Sequence, residues 1–281
     1  MKCFVKTLLV TLTAVLLSQR AWTAEDSVAR PVTSAYMLEV GSSHIADTYL
    51  TPLKYTGWHA SLGYQRRQMM KFAPDRWVMS LNATGAIDRT LNPARNATMY
   101  SLDFEAWWSM ERRFMLTPRL AVGIGGATSL TGGVLYVARN SNNPAAAKGA
   151  WTVDLTAYAS YRVNLGRLPV TFGVSARVPA LGVFFSPNYG ELYYEIYLGN
   201  RAGLVQCAWP GNYRRADLRL WADLHLGGTS LRLGYHGDLL STKAHDIVSR
   251  HITHAVTIGI VTEWLSINTR HNNPDYSSAL Y

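Results

Sequence analysis

The chain has 281 residues, 27 lysines and arginines against 18 acidic residues, and two cysteines. Its net charge is +9, but the basic residues are scattered with no interleaved aromatic patch, which argues against nucleic-acid binding. Cys3 lies in an N-terminal leader, so the mature chain keeps only Cys207 and a disulfide-stapled secreted scaffold is excluded.

Residues 1–24 read as an export signal. Lys2 and Lys6 make a basic start, Thr7 to Leu17 a short apolar run, and Ala21 and Ala24 offer cleavage points. The run falls short of the ~20 residues of a spanning helix, and no later segment supplies one. Removing Lys2, Lys6 and Arg20 lowers the net charge from +9 to +6. Cys207 is expected to be a small buried apolar residue.

Ten strands are predicted next, at about 35–42, 55–68, 77–89, 98–112, 118–131, 150–165, 168–180, 213–226, 229–241 and 250–265. The clearest runs from Trp151 to Leu165, where Trp151, Val153, Leu155, Ala157, Ala159, Tyr161, Val163 and Leu165 alternate with polar residues. Successive strand side chains point to opposite faces, so this strand has one oily and one polar side. Its length exceeds the usual ~5–6 residues of a soluble strand and suits the ~9–11 that cross a bilayer. The expected fold is all-β: a closed antiparallel transmembrane barrel of about ten strands, with a range of eight to twelve. It occupies 25–265, and a polar tail follows at 266–281.

The connections agree with this reading. Short links fall at 113–117, 166–167 and 227–228, alternating with longer ones that include 132–149 and 181–212, as periplasmic turns alternate with extracellular loops. Gly227-Gly228 suits a two-residue hairpin, which places Leu224 opposite Leu231 and Asp223 opposite Arg232. Gly166-Arg167 likewise pairs Val163 with Val170 and Arg162 with Thr171. Trp58, Tyr64, Trp77, Trp107, Trp108, Trp151, Tyr161, Tyr235 and Trp264 near strand ends suit interfacial girdles. The pairs Arg66-Arg67, Arg112-Arg113 and Arg214-Arg215 suit anchoring at lipid head groups.

The polar face points inward. Asp154, Arg162, Arg177, Asp217, Arg219, Asp223, Arg232, His236 and Asp238 are therefore expected to line the lumen. Facing charges in a barrel this narrow cross-link the wall and fill it, and a narrow gated channel is the alternative. His225, His236, His245, His251, His254 and His271 crowd the C-terminal third. Ser241, His245, Asp246 and His251 would be the members of an outer-leaflet lipid hydrolase, although no Gly-x-Ser-x-Gly elbow supports one. No His-Glu-x-x-His or other zinc spacing occurs, so no catalytic residue, metal or cofactor is assigned. In the segment 181–212, Phe184, Phe185, Tyr189, Tyr193, Tyr194, Tyr197 and Trp209 call for burial as a lid or plug. A hairpin from 191–198 and 203–209 would instead raise the strand count to twelve.

R-N-S-N-N-P-A at 139–145, F-F-S-P-N-Y-G-E-L-Y-Y-E-I-Y-L-G-N at 184–200, W-P-G-N at 209–212 and L-R-L-G-Y at 231–235 resemble a family of outer-membrane proteins of unknown function from Bacteroides-type Gram-negative bacteria. The resemblance spans roughly 100–265. It implies an outer-membrane location and brings no activity with it. A non-enzymatic barrel is expected, in contact with outer-membrane lipid and binding a small ligand or protein through loops 132–149 and 181–212.

Overall fold

The computed structural model describes residues 30–141 and 143–264. The leader at 1–24 and the tail at 266–281 lie outside the described residues. Ten long strands form the wall: β1 (Val32–Asp47), β2 (Lys54–Met69), β3 (Trp77–Leu91), β4 (Thr98–Thr117), β5 (Leu120–Val137), β6 (Ala145–Leu165), β7 (Leu168–Phe185), β9 (Tyr213–His225), β10 (Thr229–Ala244) and β11 (Ile247–Trp264). Each pairs antiparallel with its neighbours, β1 pairs with β11, and β7 pairs with both β6 and β9, so the sheet closes on itself. Closure leaves no long edge of unpaired backbone groups, a requirement in hydrocarbon. The short β8 (Val205–Ala208) pairs only with the outer end of β7 and lies outside the ring.

The twelve-stranded alternative does not form. Tyr193–Tyr197 is a single-turn helix, α1, started by a hydrogen bond from the Leu192 N–H to the Glu195 carboxylate at 2.9 Å. Only Val205–Ala208 extends, so Cys207 sits on an edge strand in the outer loop and is exposed rather than buried.

The two faces of the wall are inverted relative to a soluble protein. Leu38, Val40, Leu62, Leu102, Phe104, Ile124, Leu155, Val256, Ile258 and Ile260 are exposed outward, while Ser43, Ser80, Asp88, Ser109, Asp154 and Asp223 are buried inside. An exterior of this kind matches lipid, and the barrel is of the outer-membrane type. Outward rings pair across strands, as in Tyr36 and Tyr64 at 5.2 Å between centroids. Trp107 departs from the expected girdle: it faces inward, under the Arg177 guanidinium at 5.2 Å. The Trp264 side chain lies outside the described residues.

Both registers read from the turns are present: Asp223 pairs with Arg232, Leu224 with Leu231, Val163 with Val170 and Arg162 with Thr171. Gly166 and Gly227 adopt φ of 64° and 100°, the left-handed backbone these tight turns need. The outer strand ends run further than expected. β5 continues to Val137 and β6 begins at Ala145, so the predicted loop 132–149 shrinks to 138–144, and the loop 181–212 begins only at Ser186. The link between β10 and β11 is His245-Asp246 alone, both at positive φ. A strand as long as β6 stands ~50 Å tall at a ~40° tilt, about twice the ~25 Å apolar band. Above the band an outward face no longer has to be oily, so Gly132, Gly133 and the run Ala145–Gly149 show no alternation.

Candidate functional site: the charged lumen and the cavity above it

Alternation places one member of each basic pair inside the barrel, where charge must be compensated. Arg67 lies over the Tyr158 ring at 4.5 Å, reaching from β2 to β6, and Arg113 donates to Met69 Sδ at 3.9 Å. Arg215 enters the central lattice. Lipid anchoring by both members of these pairs is therefore corrected: only Arg66, Arg112 and Arg214 point outward.

Ion pairs cross the middle of the lumen. Arg177 on β7 binds Asp154 at 3.0 Å, Asp217 at 2.9 Å and Glu105 at 2.5 Å. Arg215 on β9 binds Asp238 with both Nε and Nη2, at 2.9 and 2.7 Å, and Glu105 with both terminal nitrogens, at 2.5 and 2.9 Å. Glu105 belongs to β4, four strands round the ring from β9, so this contact spans nearly the full diameter. Arg219 contacts Asp217 at 3.2 Å and Glu39 at 3.7 Å. His236 Nδ1 meets Glu39 at 2.8 Å, and Ser61 donates to the same carboxylate at 2.9 Å. On the periplasmic side, Arg232 grips Asp223 bidentately at 2.7 and 2.8 Å and reaches Gln65 at 3.0 Å. Planar guanidinium forks suit this work because one group can hold several acceptors in a fixed geometry.

Of the nine lumen residues expected from sequence, eight take part. Arg162 keeps the inward parity opposite Thr171 but lies at the periplasmic end of β6, exposed, four residues beyond buried Tyr158 and below the central ion pairs. Two central members were missed, Glu39 and Glu105, because each joins strands across the lumen rather than along a predicted hairpin.

On the extracellular side of the lattice the inner face changes character. A cavity of about 150 Å³ is bounded below by Arg215, Asp238 and His236, and its walls include Tyr49, Phe184 and Tyr213. Lys148 on β6 reaches Asp47 on β1, the diametrically opposite strand, and bridges the mouth. Ile45, Leu50, Tyr55, Met99, Leu135 and Val137 form an apolar layer at the mouth, and Phe184, Ala208 and Tyr213 form another.

The segment 186–212 folds over this end. The Glu191 carboxylate is its hub, accepting from Asn188 N at 2.8 Å, Asn188 Nδ2 at 3.1 Å and Asn200 Nδ2 at 2.8 Å. Tyr49 Oη donates to the Glu191 carbonyl at 2.6 Å, and the Ala147 N–H donates to Tyr193 Oη at 2.6 Å. Burial pushes the Tyr193 phenol up to about 12. The expectation that all seven aromatics are buried is corrected. Phe184 is buried and Phe185 and Tyr193 half-buried, whereas Tyr189, Tyr194, Tyr197 and Trp209 are 59–79 % exposed. A one-turn helix and a four-residue strand have too little surface to cover all seven rings.

The residues of the considered hydrolase do not converge. Ser241 pairs with Arg250 on the outward parity of β10, while His251 pairs with Leu240 on the inward parity. His245 lies in the outer turn against Gln206, at 2.7 Å. His251 instead faces residues of β3 and β4: its Nε2 is 3.2 Å from Asp88 and its Nδ1 4.0 Å from Asp103.

A protein-family model described as "Protein of unknown function (DUF3316)" matches residues 5–271. No curated protein matches the chain. Among solved structures the chain is similar to the outer membrane protease OmpT from Escherichia coli, at 8% identity and a TM-score of 0.46, over 84% of this chain and 97% of that one. It is similar to the transport unit of the autotransporter AIDA-I from Escherichia coli, at 7% identity and a TM-score of 0.40, over 89% and 93%. The translocator domain of the autotransporter NalP from Neisseria meningitidis matches at 9% identity and a TM-score of 0.39, over 92% and 95%.

Proposed function

We propose for this chain, which belongs to the DUF3316 family of proteins of unknown function, a role as a non-conducting, non-enzymatic outer-membrane barrel that takes up a small ligand or docks a partner at its extracellular end. It reaches that membrane after export on a leader removed within residues 1–24, in a Gram-negative cell of the Bacteroides type that the sequence resemblance implies. Outer-membrane lipid covers the apolar band.

The observation that carries this reading is the contact of Arg215 with Glu105, across nearly the full diameter of the ring. Ordered charge pairs at this level leave no continuous aqueous path, since small barrels have little room beyond their own side chains. What remains accessible is the cavity above them and the exposed rings Tyr189, Tyr194, Tyr197 and Trp209, the residue types enriched at recognition surfaces.

Planar-bilayer recording of the refolded full chain tests the closed lumen. The expected record is silent despite verified insertion. Discrete current steps from the wild-type protein would turn the same charges into the lining of a narrow channel.

A further inference from the structure

From the outer third of the lumen we infer a divalent metal site built by Asp88, Asp103 and His251, taking a transition ion of the zinc type. Each residue offers one ligand atom, and these atoms lie within 4.8 Å of one another. They come from β3, β4 and β11 and meet across the lumen, so the closed wall alone brings them together. The inference does not depend on what else the cavity binds.

Asp88 is the informative member. It is 0% exposed, and its two oxygens are used differently. Oδ1 is hydrogen-bonded to His59 Nδ1 at 2.8 Å. Oδ2 is equally buried and accepts no hydrogen bond among the described residues. The nearest group, His251 Nε2, is 3.2 Å away but engages Ser43 Oγ at 3.1 Å. A buried carboxylate oxygen without a donor is costly unless a cation completes it. The arrangement has the form of a metal-ligating carboxylate, one oxygen held by a supporting histidine and the other turned toward His251, the nitrogen ligand.

Asp103 supplies the accessible side. Its side chain is 33% exposed, it lines the cavity, and Ser101 donates to it. Gly133 makes room for it: a Cβ there would stand 2.3 Å from Asp103 Oδ1. In the lattice below, the five carboxylates Glu39, Glu105, Asp154, Asp217 and Asp238 face Arg177, Arg215, Arg219 and His236. One imidazole with two carboxylates suits a borderline divalent ion better than calcium or magnesium, which favour all-oxygen sets. Three protein ligands leave a tetrahedral ion one position for water or a ligand group. The competing arrangement is a metal-free ion pair between protonated His251 and the two aspartates.

Isothermal titration of the untagged, refolded full chain with zinc chloride separates the two. Saturable binding of one ion is expected, weakened at least tenfold by His251→Ala or Asp103→Asn and unchanged by His254→Ala, on the outward face. His59→Phe should cost about 10–100-fold, as the loss of a supporting partner does. Cobalt should give visible absorption bands in the wild type that Asp103→Asn abolishes. Asp103 is on the solvated side, and heat-modifiable gel migration verifies that each variant is folded. Absence of saturable zinc binding by the wild type overturns the site. So does equal affinity in folded His251→Ala and Asp103→Asn.

Discussion

Two residues on the extracellular side organise a segment too long to order itself. Glu191 is buried and its carboxylate gathers three donors from Asn188 and Asn200, while its carbonyl receives Tyr49. Hydrogen bonds to a charged group are worth about 1.5–3 kcal/mol, so Glu191→Ala should release the segment without unfolding the barrel. Limited proteolysis should then cut within 186–212 at least tenfold faster, and an unchanged rate would remove Glu191 as the hub. Tyr193 adds a pH dependence. Burial raises its phenol from an ordinary 10 to about 12, so the docked segment holds its proton more tightly than the released one. Between pH 10 and about 12 the released form loses protons first, and docking weakens as pH rises. The same proteolysis, run from pH 8 to 12, should accelerate only above pH 10 in the wild type, and Tyr193→Phe should flatten that rise.

Among the elements, β7 shows both the reach of sequence reading and where it stops. Its alternation is legible as far as Ala180 because inward Ser175 and Arg177 oppose outward Val174 and Val178. At Ala180 the pairing slips, with Val153 opposite Leu181 but Asp154 opposite Pro179. One extra residue reverses the parity, so Phe184 points inward although Arg177 does too, and a two-residue pattern ends there although the strand does not. The lattice was legible along a hairpin, where the turn counts residues and sets Asp223 opposite Arg232. Glu105 with Arg215, and His251 with Asp88, were not, because no local signal sets which strands face each other across a closed ring. Close packing inside β7 yields a further prediction. A Cβ on Gly173 would lie 2.1 Å from the Trp221 ring, itself under Arg232 at 5.2 Å. Gly173→Ala should destabilise the barrel by about 1–3 kcal/mol. Urea midpoints in micelles check this, and adding Trp221→Leu should recover part of the loss if the ring is the cause.

At the scale of the whole molecule, two kinds of bonding divide the work. Backbone ladders close the ring and hold it in lipid, whereas side-chain charges bridge the lumen. The wall should stand without the lattice, because each strand is hydrogen-bonded to two neighbours independently of the lumen side chains. Removing lattice charge should therefore open the barrel before it dismantles it. Arg177 and Arg215 both bind Glu105 from across the lumen, and together they also hold Asp154, Asp217 and Asp238. Truncating one partner of such a buried group costs about 3–5 kcal/mol in a dry interior, but here the freed carboxylates recover part of that by hydrating. The double variant Arg177→Ala, Arg215→Ala removes the two side chains that hold Glu105 from across the lumen and leaves acidic groups along the vacated path. It should insert with normal heat-modifiability and show discrete, cation-selective steps in a planar bilayer where the wild type is silent, since a ring of carboxylates favours cations. An inserted but silent double variant would assign closure to the layers above and below, where Lys148 meets Asp47 and Arg67 covers Tyr158. In that case the central lattice serves cohesion of the wall, and the seal lies at the two mouths.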